Sequence, residues 1–256
     1  MDDSHARVEI PRPAIDALRT AHRIMALTGA GISAESGLPT FREKQTGLWA
    51  RYRPEDLATP QAFARDPALV WRWYAWRRSL VAAAEPNAGH IALVAIEGRV
   101  AQFTLITQNV DGLHQRAGSR DVVELHGNVE RSRCSVEGTI VTVEPDTVYD
   151  PPPRCGSCGG ALRPDVVWFG ESLPGEALAR ATEAASTCDA LLLVGTSGVV
   201  YPAAALAPLA LRRGATVIAV NPDASASPRG ALAIVSPAAI ALPALLAAAW
   251  SPAGGA

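Results

Sequence analysis

A chain of 256 residues, 48% hydrophobic and 19% charged, can close a sizeable core, which excludes an intrinsically disordered protein. Its net charge of −2 gives no basic field for nucleic acid or a membrane surface, so any protein substrate must be recognised locally. The polar N-terminus, MDDSHARVEIPRP, is unlike a secretory signal; the expectation is a cytoplasmic monomer with one main domain and a smaller module.

Residues 14–23 read as a short helix leading into an apolar strand, Arg23-Ile-Met-Ala-Leu-Thr28, which stops at Gly29-Ala30-Gly31. Further strands are expected at Gln102–Thr107, Asp189–Val194 and Thr216–Val220, with a short one at Ile234-Val235. Each run is continuously apolar without alternation, the pattern of strands covered on both faces of a parallel sheet. Helices are expected over 87–98, 175–187, 202–213 and 239–249. This alternation predicts an α/β fold built on a doubly wound, Rossmann-like parallel sheet. The apolar stretch from Ala231 to Trp250 contains Pro237 and Pro243, which argue against a membrane span.

Two stretches break the rhythm. Residues 43–85 are rich in tryptophan and arginine in a helical pattern, and residues 130–163 hold Cys134, Cys155, Cys158 and the turn-prone Pro151-Pro152-Pro153. Both read as insertions that form a smaller helical and metal-binding module. The main domain is then residues 1–42, 86–129 and 164–256.

Gly29-Ala30-Gly31-Ile32-Ser33-Ala34 fits the dinucleotide pattern G-x-G-x-x-G/A after a strand. Such glycines let the backbone turn tightly and approach a pyrophosphate at a helix N-terminus. By itself the pattern is equally that of a tight turn. An ordinary dehydrogenase also needs an acid about 20 residues on, after a second strand. Here Glu55-Asp56 fall inside the helical insertion, so the nucleotide site must be built another way.

Continued through Gly37-Leu38-Pro39-Thr40-Phe41-Arg42, the stretch from Gly29 resembles the sirtuin signature GAGISAESGIPTFR. Further blocks match in the same order. They are Thr107-Gln108-Asn109-Val110-Asp111-Gly112-Leu113-His114, Glu124-Leu125-His126-Gly127, Arg163-Pro164-Asp165-Val166-Val167-Trp168-Phe169-Gly170-Glu171 and Gly195-Thr196-Ser197. Asn221-Pro222 follows at the family's adenosine-contacting position. The resemblance spans about residues 15 to 245 and implies an NAD-dependent lysine deacylase yielding nicotinamide and O-acyl-ADP-ribose.

It also implies NAD contacts from Gly29, Ala30, Gly31, Thr40, Phe41 and Arg42, with Gln108, Asn109 and Asp111 at the nicotinamide end. Gly195, Thr196, Ser197 and Asn221 would hold the adenosine half, and backbone near Ala239 would finish the adenine pocket. In the family's reaction the substrate amide oxygen attacks the ribose carbon that carries nicotinamide, and a ribose hydroxyl attacks next. That hydroxyl must lose a proton near neutral pH, a task suited to histidine, and His126 matches the family's base. Asn109 and Asp111 would orient the reacting groups. Val166, Trp168 and Phe169 match the segment that pairs with an extended substrate peptide and lines the acyl-lysine channel.

Tyr74 and Arg77 lie three apart in a predicted helix, which puts a phenol and a guanidinium on one face. An arginine fork matches a carboxylate bidentately and a phenol adds a neutral donor. On spacing alone, an ordinary packed helix with solvated arginines explains the stretch better. The resemblance turns the balance, since class III sirtuins carry Tyr-x-x-Arg here with an alanine that opens the pocket, present as Ala58. Succinyl and malonyl groups are therefore the expected substrates, with acetyl removed more weakly. Plain deacetylation and mono-ADP-ribosyl transfer are the alternatives.

Family members bind one structural zinc through two C-x-x-C pairs. Cys155-Gly-Ser-Cys158 supplies one pair; the other reads Cys134-Ser-Val-Glu137. Glu137 completes a Cys3Glu site, or water fills the fourth position, or the metal has been lost. Cys188, at the start of a buried strand, is read as a core residue.

Overall fold

A computed structural model describes residues 8–39, 52–141 and 152–250, apart from the side chains of Pro54 and Glu55. In chain order the elements begin with α1 (Arg12–Thr20), β1 (Arg23–Thr28), 3-10 turns at Ala30–Ile32 and Ala34–Ser36, then α2 (Pro54–Leu57), α3 (Pro60–Arg65) and α4 (Pro67–Ala83). They continue with α5 (Ala88–Glu97), β2 (Gln102–Thr107), α6 (Leu113–Ala117), β3 (Val122–Glu124), β4 (Gly127–Cys134), β5 (Ile140–Val141) and β6 (Leu162–Val166). The last are α7 (Gly175–Thr187), β7 (Ala190–Val194), α8 (Leu206–Arg212), β8 (Thr216–Val220), β9 (Leu232–Ile234) and α9 (Ala238–Trp250).

Six strands pair in parallel in the order β3-β2-β1-β7-β8-β9, the doubly wound fold expected. Successive residues of each strand face opposite sides. On β1, Ile24 and Ala26 meet α1, α5 and α9 through Leu18, Leu93 and Leu245, while Met25 and Leu27 meet α7 and α8 through Ala181 and Leu206. Winding reverses between β1 and β7, where ligand crevices open in such sheets. Thr28 is level with Thr107 on one side and Val194 on the other, so three strand ends present their next residues together.

Three details differ from the sequence reading. The edge strand β3 was not anticipated, because three residues carry no readable period. The last strand ends at Ile234, and Val235 is exposed. The helix expected over 202–213 opens as a 3-10 turn at Ala203–Ala205.

The two insertions share one core. The antiparallel sheet β5-β4-β6 packs Val129, Leu162 and Val166 against Phe63, Val70, Trp71, Trp73 and Tyr74 of α3 and α4. Polar ties add to this: Trp71 Nε1 donates to the Leu162 carbonyl at 2.7 Å, and Arg78 donates to the Val129 carbonyl at 2.6 Å. Proline at the first turn and side-chain caps, Thr59 for α3 and Asp66 for α4, set where these helices begin. No single helix among the described residues is long and apolar enough to cross a membrane.

The loops after β1 and β7 touch backbone to backbone. Gly31 N–H donates to the Gly195 carbonyl at 2.9 Å, and Gly195 holds φ +60. A Cβ there would lie 2.4 Å from Ile32 N and 2.7 Å from Gly31 Cα. Gly195→Ala is therefore expected to lose at least roughly 2 kcal/mol of unfolding free energy by urea titration. Wild-type stability in that variant would mean the loops do not meet as described.

Candidate active site and metal cluster

Both glycine amides of the loop are engaged within the protein. Gly29 N–H donates to the Val194 carbonyl at 3.0 Å, and Gly31 N–H is engaged by Gly195. A Cβ on Gly29 would fall 2.9 Å from the Gly195 carbonyl oxygen. The glycines thus serve close packing first, and the segment after them is a pair of 3-10 turns, not the α-helix N-terminus the dinucleotide pattern led us to expect. The donor set still fits a dinucleotide. Thr196 Oγ1 is buried without a partner beside Gly29, and Gln108, Thr196 and Ser197 line one cavity of about 270 Å³.

Past the strand ends lies a satisfied polar network. Asn109 Nδ2 donates to Ser33 Oγ at 3.1 Å, and Ser33 donates to Asp111 Oδ2 at 2.7 Å. The other Asp111 oxygen accepts Leu113 N–H at 3.0 Å. Burial pushes the Asp111 carboxyl above its ordinary value, against the lowering effects of Leu113, Ser33 and Arg77. Beneath it, Asn109 N–H donates to Thr107 Oγ1 at 3.0 Å, which also accepts from Thr28 at 2.9 Å. Sequence reasoning missed Ser33, Thr28 and Thr107. Their signal was hydroxyls inside or beside matched blocks, two of them, Thr28 and Thr107, at strand ends of equal register.

His126 stands between β3 and β4, its carbonyl accepting Val167 N–H at 2.9 Å. Its Nδ1 lies 2.8 Å from the Gln108 carbonyl. A carbonyl only accepts, so Nδ1 carries the proton and Nε2 keeps a lone pair. Burial lowers the imidazole pKa below 6.5, partly opposed by Gln108, so the ring is neutral near pH 7. This is the state a general base needs.

The sequence-predicted acyl residues converge. Tyr74 is 2% exposed, and burial pushes its phenol up to about 12 against the pull of Arg77, so it stays a neutral donor. Burial lowers the Arg77 guanidinium from its usual value while Tyr74 and Asp111 act to raise it. The buried Ala58 accepts Phe169 N–H on its carbonyl at 2.9 Å, and Trp168 Nε1 donates to Tyr74 Oη at 2.9 Å. Val166 closes β6 within the same core.

Two sequence-based assignments meet other partners. The Ala239 N–H at the start of α9 donates to Glu35 at 2.8 Å, because a carboxylate suits a helix N-terminus, and so it is already engaged. The Asn221 amide donates to the Thr196 carbonyl and accepts from Asp223 N–H, tying two loops together. Thr40, Phe41 and Arg42 lie outside the described residues.

Cys134, Glu137, Cys155 and Cys158 bring their ligand atoms within 4.8 Å of one another. The pairs are two matching turns: Gly138 and Gly159 both hold φ +72, and each donates its N–H to the carbonyl of the cysteine four residues back. Glu137 therefore occupies the place in its turn that Cys158 occupies in the other. Amides of Val136 and Glu137 point at Cys134 Sγ, and that of Gly160 at Cys158 Sγ, each at 3.4 Å. Tetrahedral zinc with Zn–S of about 2.3 Å and Zn–O of about 2 Å needs ligand separations of roughly 3.5–3.8 Å. The Cys134 and Cys158 sulfurs stand 3.4 Å apart, just under that range, and Cys155 Sγ lies 3.8 Å from Glu137, at its upper edge. Cys188 is buried away from this set, among core residues.

Residues 29–202 match the family described as the Sir2 family. A relative named NAD-dependent protein deacylase 2 from Pyrobaculum aerophilum is 56% identical over 211 residues, 82% of this chain and 84% of its own length. NAD-dependent protein deacylase 1 of Pseudomonas aeruginosa is 54% identical over 219 residues, 83% and 88% of the two chains. Among solved structures, the crystal structure of a Sir2 homolog–NAD complex superposes with a TM-score of 0.87 at 44% identity, covering 94% of each chain.

Purified without added metal, the protein is expected to carry near-stoichiometric zinc by mass spectrometry. Glu137→Ala should release it to a chelator faster, and Glu137→Cys more slowly. Identical release from wild type and Glu137→Ala would exclude the carboxylate as a ligand.

Proposed function

The chain belongs to the Sir2 family, and from that premise we propose that the groups it takes from lysine are acidic, succinyl and malonyl ahead of acetyl. It is an NAD-dependent protein deacylase. The observation that carries the acyl preference is a buried phenol and a guanidinium on successive turns of α4, beside the small side chain of Ala58. A guanidinium in such a place favours an anion, and the fork of Arg77 suits a terminal carboxylate. An acetyl group brings nothing to meet either donor.

NAD supplies a ribose carbon that already bears a leaving group, and the protein supplies placement and proton transfer. The glycine loop with Thr196 and Ser197 would hold the dinucleotide, while Asn109, fixed by Ser33 and Thr107, orients the nicotinamide end. Asp111 holds Ser33 and the start of α6 in place. His126 accepts the hydroxyl proton on Nε2, the nitrogen that Gln108 leaves free. Val166, Trp168 and Phe169 would flank the acyl-lysine peptide, and the exposed ring of Phe169 is open to it.

Arg77→Met should lower kcat/KM for a succinyl-lysine peptide roughly 100-fold, the scale of a lost charge-assisted pair, and far less for the acetyl form of that peptide. Equal losses would overturn the acidic-acyl reading. Because His126 acts as the neutral base, activity should fall as the ring protonates, with an acid limb centred below pH 6.5. A limb centred above pH 6.5 would contradict this environment.

A further inference from the structure

We infer that Trp168 sets acyl selectivity by fixing the direction in which the Tyr74 hydroxyl donates. This rests on the acidic-acyl reading and names the residue that tunes it. An indole N–H can only donate, so at 2.9 Å the Tyr74 oxygen must be the acceptor. Phenolic O–H lies near the ring plane, so acceptance on one side leaves the proton on the other. Among the described residues that proton meets no acceptor, while Arg77 lies on the next turn. A carboxylate that reaches the guanidinium then meets an O–H already aimed at it.

Trp168 is itself held at both ends. Its backbone N–H donates to Glu171 Oε2 at 2.8 Å. Above its ring sits the Arg163 guanidinium, 3.3 Å from the centroid. Arg163 grips both Glu171 oxygens, at 2.5 and 2.9 Å, and donates to the Val166 carbonyl at 2.7 Å. Phe63 packs beside the indole at 5.3 Å between centroids. The ring cannot swing away, and a cation over its face draws electron density and strengthens Nε1–H as a donor. Without that N–H the phenol is free to turn its proton back, and its lone pairs then face the substrate carboxylate.

The test compares succinyl and acetyl forms of one peptide in Trp168→Phe, Tyr74→Phe, the double variant, and a protein with benzothienylalanine at 168. The last keeps the bicyclic shape and lacks the N–H, so it answers the question even where phenylalanine disturbs folding. Both replacements of Trp168 should lower succinyl kcat/KM roughly ten-fold more than acetyl, the scale of one hydrogen bond. Once Tyr74 is phenylalanine, changing Trp168 should add no further selective loss. Equal losses on both peptides, or selective losses that multiply in the double variant, would overturn the inference. Arg77→Met separates the two claims: if it is selective and Trp168 is not, only the indole's role falls. If Arg77→Met is itself unselective, the acidic-acyl reading fails and this inference with it.

Discussion

Two glycine backbones in contact hold the site together. Gly31 and Gly195 meet where the loops after β1 and β7 cross, closer than any side chain would allow. The contact brings the third strand end to the pair already in register, Thr28 and Thr107. Ser33 follows one of these loops and Thr196 lies in the other, so both stand close to that contact. The glycines of the loop are thus required by the protein's own packing before any ligand arrives.

What grows from the crossing is a buried polar network with little freedom. Asn109, Ser33, Asp111, Thr107 and Thr28 satisfy one another in a place where an unpaired group would be costly. Such a network is preorganised: its dipoles need not be turned when substrate enters. His126 is held in the same way, by one carbonyl that chooses its tautomer.

The insertions carry the residues on which the proposed acyl preference rests. Because α3, α4 and the sheet β5-β4-β6 share one core, Tyr74 and the segment around Trp168 are packed together. Glu171, Arg163, Trp168 and Tyr74 form an unbroken series of contacts between them. The cysteine and glutamate cluster lies at the other end of β4 and β6 and joins two turns that backbone pairing alone would leave loosely tied.

The parallel sheet was legible in the sequence because strands buried on both faces are apolar along their length, and the runs at 24–27, 190–194 and 217–220 are so. His126 and the Tyr74–Arg77 pair were legible only through ordered blocks resembling a family, since spacing alone favoured a plain packed helix. Glu137 was one of three readings of the fourth ligand in the sequence, and its matching turn brings it beside the three cysteines. The contact of Gly31 with Gly195, the hydroxyls of Ser33, Thr28 and Thr107, and the hold of Trp168 on Tyr74 were decided by the tertiary structure. Each joins residues between 76 and 164 positions apart, or 94 for the indole and phenol. Local periodicity and propensity act over a few residues, whereas hydrogen bonds and close packing act only between atoms that folding has already brought together.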